Sequence, residues 1–234
     1  MADFEVAAPT SADAFAQLAV ELHDAPGVEE TVDAVVQFAL QALNCMYAGI
    51  ALYVRGSRPE VAASTDPVVN DVYELQISSD VGPLITALRD RDSVLIRDTS
   101  KDERWPEWAA KVAGLGVRSV LDVPLTTGDG SRSIVGVLGL YSAEPDAFGE
   151  DDEAIAHILA RHASVAVASA RHEETMAQAV DARKLVGQAM GILMERFDVD
   201  GDRAFAILKR YSQDTNTKLR DVAQQLIDTR KLPH

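Results

Sequence analysis

A single cysteine, Cys45, among 234 residues excludes an internal disulfide framework and suits a reducing compartment. No run of about eighteen apolar residues occurs, and the opening MADFEVAAPTSADAF has neither a basic start nor an apolar signal core. The expectation is a cytoplasmic protein with no membrane partner. Phosphate-cradling loops are missing: there is no G-x-x-x-x-G-K-[ST] stretch and no strand-borne G-x-G-x-x-G. Ser119, Asp122 and His157 offer triad chemistry, yet no G-x-S-x-G turn sets up a nucleophile. His157 and His162 are five apart, off the i, i+4 face of a two-histidine metal site. The expectation is therefore no catalysis, no metal and no cofactor.

Cations are scarce in one part of the chain only. Residues 1–170 hold 11 Lys+Arg against 27 Asp+Glu, a net of −16, whereas residues 171–234 hold 11 against 10, a net of +1. An acidic surface repels phosphate chains, so only the C-terminal part tolerates a nucleic-acid ligand. With 47% hydrophobic residues the chain buries a real core, and the change of pattern near residue 165 favours two domains.

Residues 1–10 have no period and are expected to be a flexible N-terminus. Helical spacing begins at Ser11, a plausible cap, with Ala14, Phe15, Leu18, Ala19 and Leu22 on one face, and Pro26 and Gly27 stop it. A second helix over 28–43 turns Val32, Val35, Val36, Ala39, Leu40 and Leu43 inward. Strand signals follow at 48–54, 60–64, 93–97, 118–124 and 133–141. Gly56 with Pro59, and Gly128, Asp129 and Gly130, make hairpins of the first and last pairs. Helical insertions over 81–89 and 105–115 lie between them. Strands paired by hairpins, with grouped helices, indicate an α+β fold on an antiparallel sheet.

No Pro or Gly interrupts the chain from Asp151 until Gly187, so one long linker helix over about 151–196 is expected, capped by Glu150 or Asp151. Its inward stripe reads Ile155, Ile158, Leu159, His162, Val165 and Ala166. A mixed heptad pattern of Ile155, Ile158, His162, Val165, Ser169, His172, Met176, Ala179, Val186, Met190 and Leu193 suggests a homodimer through packed linker helices.

Three apolar runs at helical spacing close the chain: Leu185, Ala189, Ile192, Leu193 and Phe197; Ala204, Ile207, Leu208 and Tyr211; Leu219, Val222, Ala223 and Leu226. Asp200 and Thr217 are expected to cap the second and third helices. Gly187 and Gly191 share one face, each costing about 1 kcal/mol against alanine, which a close helix approach would offset.

This stretch resembles the ANTAR domain, an RNA-binding antitermination module of bacterial regulators. The resemblance runs through Gln188, Ala189, Gly191, Ile192, Leu193, Met194, Glu195 and Arg196, then Ala204 and Phe205, then Tyr211, Ser212, Asn216, Lys218, Leu219, Arg220, Asp221, Val222 and Ala223. Met190 departs where a lysine is common, and Asp198 where a glycine often ends the first helix. The resemblance implies an RNA-binding domain over 171–230 that holds hairpin loops so that a terminator cannot form. Phosphate contacts would come from Arg183, Lys184, Lys209, Arg210, Lys218 and Arg220, and loop-base contacts from Gln188, Ser212 and Asn216. Ala189, Ile192, Leu193, Ala204, Phe205, Leu219 and Val222 would hold the platform. The rival readings are a DNA-binding transcription factor, from a misread helix-turn-helix, and a sensor whose tail only dimerises.

Residues 11–170 resemble a GAF domain, a ligand-sensing fold. The resemblance lies in GVRSVLDVPL at 116–125, IVGVLGLYSAEPDAF at 134–148 and the acidic helix start that follows. It implies a small-molecule pocket closed by the insertions, for which Trp105 and Trp108, with Tyr53 and Ser119, are the candidate lining residues. Cyclic-nucleotide-binding members carry Asn-Lys before a Phe and an Asp-Glu pair. Here Phe148, Asp152 and Glu153 are present but Ser142 and Ala143 replace Asn-Lys, so the retained half reads as core anchor and helix cap.

Overall fold

A computed structural model describes residues 11–43, 45–54, 56–128 and 133–231, with side chains from residue 14 onward. The chain forms two compact units, Met1–Arg171 and His172–His234. Residues 1–10, the capping side chain of Ser11, and Asp129 and Gly130 of the expected turn lie outside what is described.

In the first unit, α1 (Ser11–Asp24) and α2 (Val28–Ala42) precede strands β1 (Tyr47–Leu52) and β2 (Glu60–Ser64). Helices α3 (Pro67–Ser79) and α4 (Pro83–Asp90) follow, then β3 (Val94–Ile96), a short 3-10 turn at Thr99–Lys101 and α5 (Pro106–Gly114). Strands β4 (Ser119–Thr127) and β5 (Ser133–Ser142) lead into α6 (Glu150–Phe197). The sheet order is β2-β1-β5-β4-β3, antiparallel at every pairing, with the hairpins β1–β2 and β4–β5 where the turn residues indicate.

Both faces of this sheet are covered. Alternation sends Leu121, Val123 and Leu125 of β4 and Leu138 and Leu140 of β5 into one core with α1, α2 and the start of α6. Val120, Val137 and Tyr141 point into the other, under α3, α4 and α5. A strand buried on both sides reads as a continuous apolar run, which is why IVGVLGLY shows no polar alternation.

Helix α3 is absent from the sequence reading. Asp66 caps it, its Oδ1 accepting from Val68 N at 2.9 Å, and Pro67 stands at its first turn. Its apolar face is narrow because Gln76 is buried, where Nε2 donates to Val72 O and Oε1 accepts from Leu84 N at 2.8 Å. Gly82 has φ 142, and a Cβ there would strike the Gln76 side chain, so this amide fills the α3–α4 corner.

The inward stripe of α6 differs from expectation. Ala156, Leu159, Ala160, Ala163 and Val167 are buried, whereas Ile158 and Val165 are exposed. His162 is also exposed, beside the Phe15 ring at 6.2 Å. Small residues let the helix lie close against its neighbours, so the large aliphatic side chains take the opposite face. Asp152, rather than Glu150 or Asp151, accepts from Gly149 N at 2.9 Å, and Phe148 is core, consistent with cap and anchor.

The second unit packs the C-terminal part of α6 with α7 (Gly201–Asp214) and α8 (Leu219–Thr229) around Ala189, Leu193, Ala204, Leu208, Val222, Ala223 and Leu226. Asp200 caps α7, accepting from Arg203 N at 2.8 Å. Thr217 does not cap α8: Lys218 holds that position, and Thr217 instead accepts on its carbonyl from Ser212 Oγ. Asp198 takes φ 48, filling the left-handed helix end that a glycine would occupy. Phe197 and Phe205, expected in the core, are exposed. Space around Gly187 and Gly191 is open, so no close approach within the chain explains that pair. Val186, Met190 and Leu193 are taken up by this unit's own core, which removes them from the expected heptad seam.

Candidate functional site

The second unit displays its cations on all three helices. Arg183, Lys184 and Gln188 are exposed on α6, Lys209 and Arg210 on α7, Lys218 and Arg220 at the start of α8. Arg210 lies 3.5 Å from Asp214 and Arg220 3.2 Å from Asp221. Such exposed pairs are worth little and release their cations readily to a phosphate. Helical geometry separates two of them: Lys209 is one turn from Phe205, whereas Arg210 lies two turns from Arg203 on the other flank of α7.

Of the expected polar contacts, Ser212 has structural work instead, while Asn216 keeps its side chain available. Ser212 is half-buried and donates to Thr217 O at 2.7 Å, tying the α7–α8 connection. Asn216 stands at φ 51, the backbone conformation this residue type tolerates, although its side chain remains exposed. Arg203, also exposed, and the surface position of Phe205 are not among the expected site features. Counting residues at 100° each from Ala204 and Leu208 puts Phe205 on the rim.

In the first unit the four expected pocket residues do not converge. Trp108 is buried, its Nε1 donating to Val72 O at 3.5 Å, while Trp105 is half-buried with the Arg104 guanidinium 4.7 Å over its ring. These two line a cleft of about 360 Å³ with Leu75, Val81 and Lys111. Tyr53 belongs to a different cleft of about 550 Å³, with Arg58, Arg89 and Arg91. Ser119 lines neither; it is buried and donates to Glu144 O at 2.8 Å. Cys45 is half-buried, and burial pushes its thiol up to about 11, away from the thiolate form.

Deeper, a polar group sits inside the core under α3. Asp122 of β4 pairs across the sheet with Gly139, and Gly139 with Gly49. A Cβ at Gly139 would collide with the hydroxyls of Tyr141 and Tyr73 and with Asp122 Oδ1, and one at Gly49 would strike the Tyr73 ring and Val69. Two glycines thus make room for one tyrosine. Both Asp122 oxygens and both hydroxyls lack hydrogen-bond partners among the described residues. Burial pushes the Asp122 carboxyl up from 3.8 to about 8, and burial with the neighbouring Asp122 raises the Tyr73 phenol.

Beside the start of β4, Asp98 accepts from Ser100, Arg118 and Lys101, which hold its carboxyl well below the usual range. This knot fixes the 3-10 turn to the strand.

The GAF domain family model matches residues 25–168, and the ANTAR domain family model matches residues 174–227. The chain belongs to the GAF family and ends in an ANTAR domain. The GAF domain is similar in structure to the GAF domain of an Acinetobacter phosphoenolpyruvate-protein phosphotransferase, with TM-score 0.54 and 18% identity over 72% of this chain and 99% of that one. It is similar also to the free methionine-R-sulfoxide reductase of Neisseria meningitidis solved with its substrate, with TM-score 0.54 and 17% identity over 69% and 90%. A bacteriophytochrome from R. palustris, RpBphP3, gives TM-score 0.59 at 10% identity over 81% and 43%. At such identities the likeness is one of fold alone. No curated protein sequence matches the chain. ANTAR domains are known for RNA-binding antitermination and GAF domains for signal sensing. Among the described residues, no helix is long and apolar enough to cross a membrane.

Proposed function

We propose that this protein is an RNA-binding antitermination regulator of the cytoplasm, in which the GAF domain senses a small-molecule signal and the ANTAR domain holds hairpin RNA so that a terminator cannot form. The observation that carries this reading is the ANTAR match over 174–227, in the part of the chain freed from the acidic excess. Arg183, Lys184, Lys209, Lys218 and Arg220 supply phosphate contacts, and Gln188 and Asn216 supply base contacts. Phe205, 41% exposed and one turn from Lys209, adds a face on which an unpaired base stacks. The reading includes no catalytic step and no cofactor.

The regulator acts as a homodimer. On α6, Ile158, Val165, Met176, Val180 and Met194 are exposed, and Gly187 and Gly191 stand in open space among them. At 100° per residue these positions fall on one face of α6, and the two glycines suit a close approach of the same helix from a second copy. Two tethered RNA-binding units raise the effective concentration for a paired target.

The test is selection of hairpins with randomised loops by the full-length protein, followed by competition of the enriched hairpin against duplex DNA. Enrichment, with RNA favoured and affinity falling steeply with salt, supports the reading. Preference for the duplex would point to a DNA-binding factor, and no enrichment at all to a sensor whose tail only dimerises.

A further inference from the structure

Over residues 1–170, where acids outnumber cations by 27 to 11, four cations lie against carboxylates among the described residues. Arg97 lies 2.6 Å from Asp146, Arg104 2.6 Å from Asp102, and Arg118 and Lys101 lie 3.0 and 3.2 Å from Asp98. Among the described residues Lys111 and Arg161 form no ion pair either, but it is Arg58, Arg89 and Arg91 that gather at one place. They come from two separate places, the β1–β2 loop and the C-terminal end of α4, yet line the same cleft of about 550 Å³. None of the three forms an ion pair among the described residues. Asp80, the single acid in the lining, forms none with them either.

Guanidiniums gathered around one space repel one another unless an anion lies between them. The attraction of α4's C-terminal end for cations accounts for Arg89 in its last turn, but not for Arg58 facing it from the hairpin loop. Arg91 occupies a left-handed helix cap at φ 59, where glycine is the favoured residue, so the turn itself does not ask for a long cation. The rest of the lining is of another kind. Ile85 is buried, Leu88 half-buried, and Tyr53 presents an aromatic ring.

We propose that this cleft binds a small organic anion, a carboxylate- or phosphate-bearing molecule whose charged group is held by Arg58, Arg89 and Arg91 while its apolar body rests on Ile85, Leu88 and Tyr53. The volume is that of a metabolite site. The acidic surroundings repel a polyanion, which sets a free metabolite apart from an RNA backbone. The proposal deepens the sensory half of the reading above and rests on it only for what binding does, since binding itself is measured directly.

The experiment is isothermal titration of the full-length protein with phenyl phosphate and benzoate, with phenol as the neutral counterpart, in wild type and in an Arg89→Gln, Arg91→Gly double variant. Both positions are exposed and glycine suits the left-handed backbone at 91, so the variant keeps its fold; Arg58→Gln serves as an independent check. The expected result is saturable binding of at least one anion, with phenol at least about tenfold weaker, and a loss of about ten- to a hundredfold in the double variant, as for hydrogen bonds to charged groups. Affinity of the variant for the enriched hairpin RNA stays at the wild-type level. Anions that bind no tighter than phenol, or that bind the variant as well as wild type, overturn the proposal. So does a variant that loses RNA affinity while keeping its anion affinity. A protein that binds the anion and no RNA upholds the cleft and removes only the RNA reading.

Discussion

Replacing Asp122 by asparagine separates the cost of a buried carboxyl from the packing around it. In the folded protein burial raises this carboxyl from 3.8 to about 8, while in the unfolded chain it returns to its ordinary range. Between those values the folded state keeps a proton that the unfolded state has released, so the unfolded state gains as pH rises. Stability is therefore complete below about pH 4, declines through the window and levels off above about pH 8. Each tenfold change in proton affinity is worth about 1.4 kcal/mol, so the full decline is on the order of 5 kcal/mol, with about 3 to 4 kcal/mol of it falling between pH 5 and pH 8. Asparagine does not titrate, keeps the shape and offers an amide to the Tyr73 and Tyr141 hydroxyls. The variant is expected to match wild type near pH 5 to within about 1 to 2 kcal/mol and to exceed it by several kcal/mol at pH 8. Urea unfolding followed by tryptophan fluorescence reports on this domain, because Trp105 and Trp108 are the chain's two tryptophans. Other titrating groups are common to both proteins and cancel in the difference. A wild-type minus variant difference that does not change between pH 5 and pH 8 would refute the argument.

Four further outcomes are expected. Lys218→Ala with Arg220→Ala weakens hairpin binding and lowers the slope of log affinity against log salt by about 1.4 to 2, with unchanged circular dichroism; an unchanged slope in gel-shift titrations removes both residues from the site. Phe205→Leu weakens binding of the same hairpin by about five- to a hundredfold without changing the salt slope or the melting temperature; a 2-aminopurine loop base whose fluorescence is identical in both complexes would exclude stacking. Gly139→Ala forces a methyl into the Tyr73, Tyr141 and Asp122 group and destabilises the GAF domain by about 1 to 3 kcal/mol in urea unfolding; a neutral effect would mean that the glycine row is not tightly filled. Met176→Lys with Val180→Lys leaves the fold intact but shifts a dimer toward monomer in sedimentation; sedimentation identical to wild type would show that this face does not hold the copies together.

The hairpin pairs of the sheet, the antiparallel class and the long helix were legible because each rests on a local signal: β-branched runs, Gly-containing turns, and an uninterrupted span ending near Phe197. The segment that became α3 was not, since its stripe is broken by Gln76, whose partners Val72 and Leu84 exist only once the corner is folded. Periodicity found the α6 helix but misassigned its inner face, because burial there follows alanine rather than the larger Ile158 and Val165. In the ANTAR domain the apolar runs gave the three helices, while Phe197 and Phe205 stand outside the core their hydrophobicity suggested. Among the candidate site residues, exposed cations could be picked from charge alone. The structural duties of Ser212 and Ser119 depend on carbonyls that come near only in three dimensions. The arginine cleft had no sequence signal at all: Arg58 and Arg89 are about thirty residues apart and follow no period.

A sheet packed on both sides leaves its middle strands little liberty to change. Ile50, Leu121, Leu138 and Leu140 answer to neighbours on one side, and Val120, Val137 and Tyr141 to neighbours on the other. Diversification among proteins built on this scaffold is thereby pushed to the ends of the hairpins and the tips of the covering helices, where a substitution alters what the domain recognises without disturbing the scaffold.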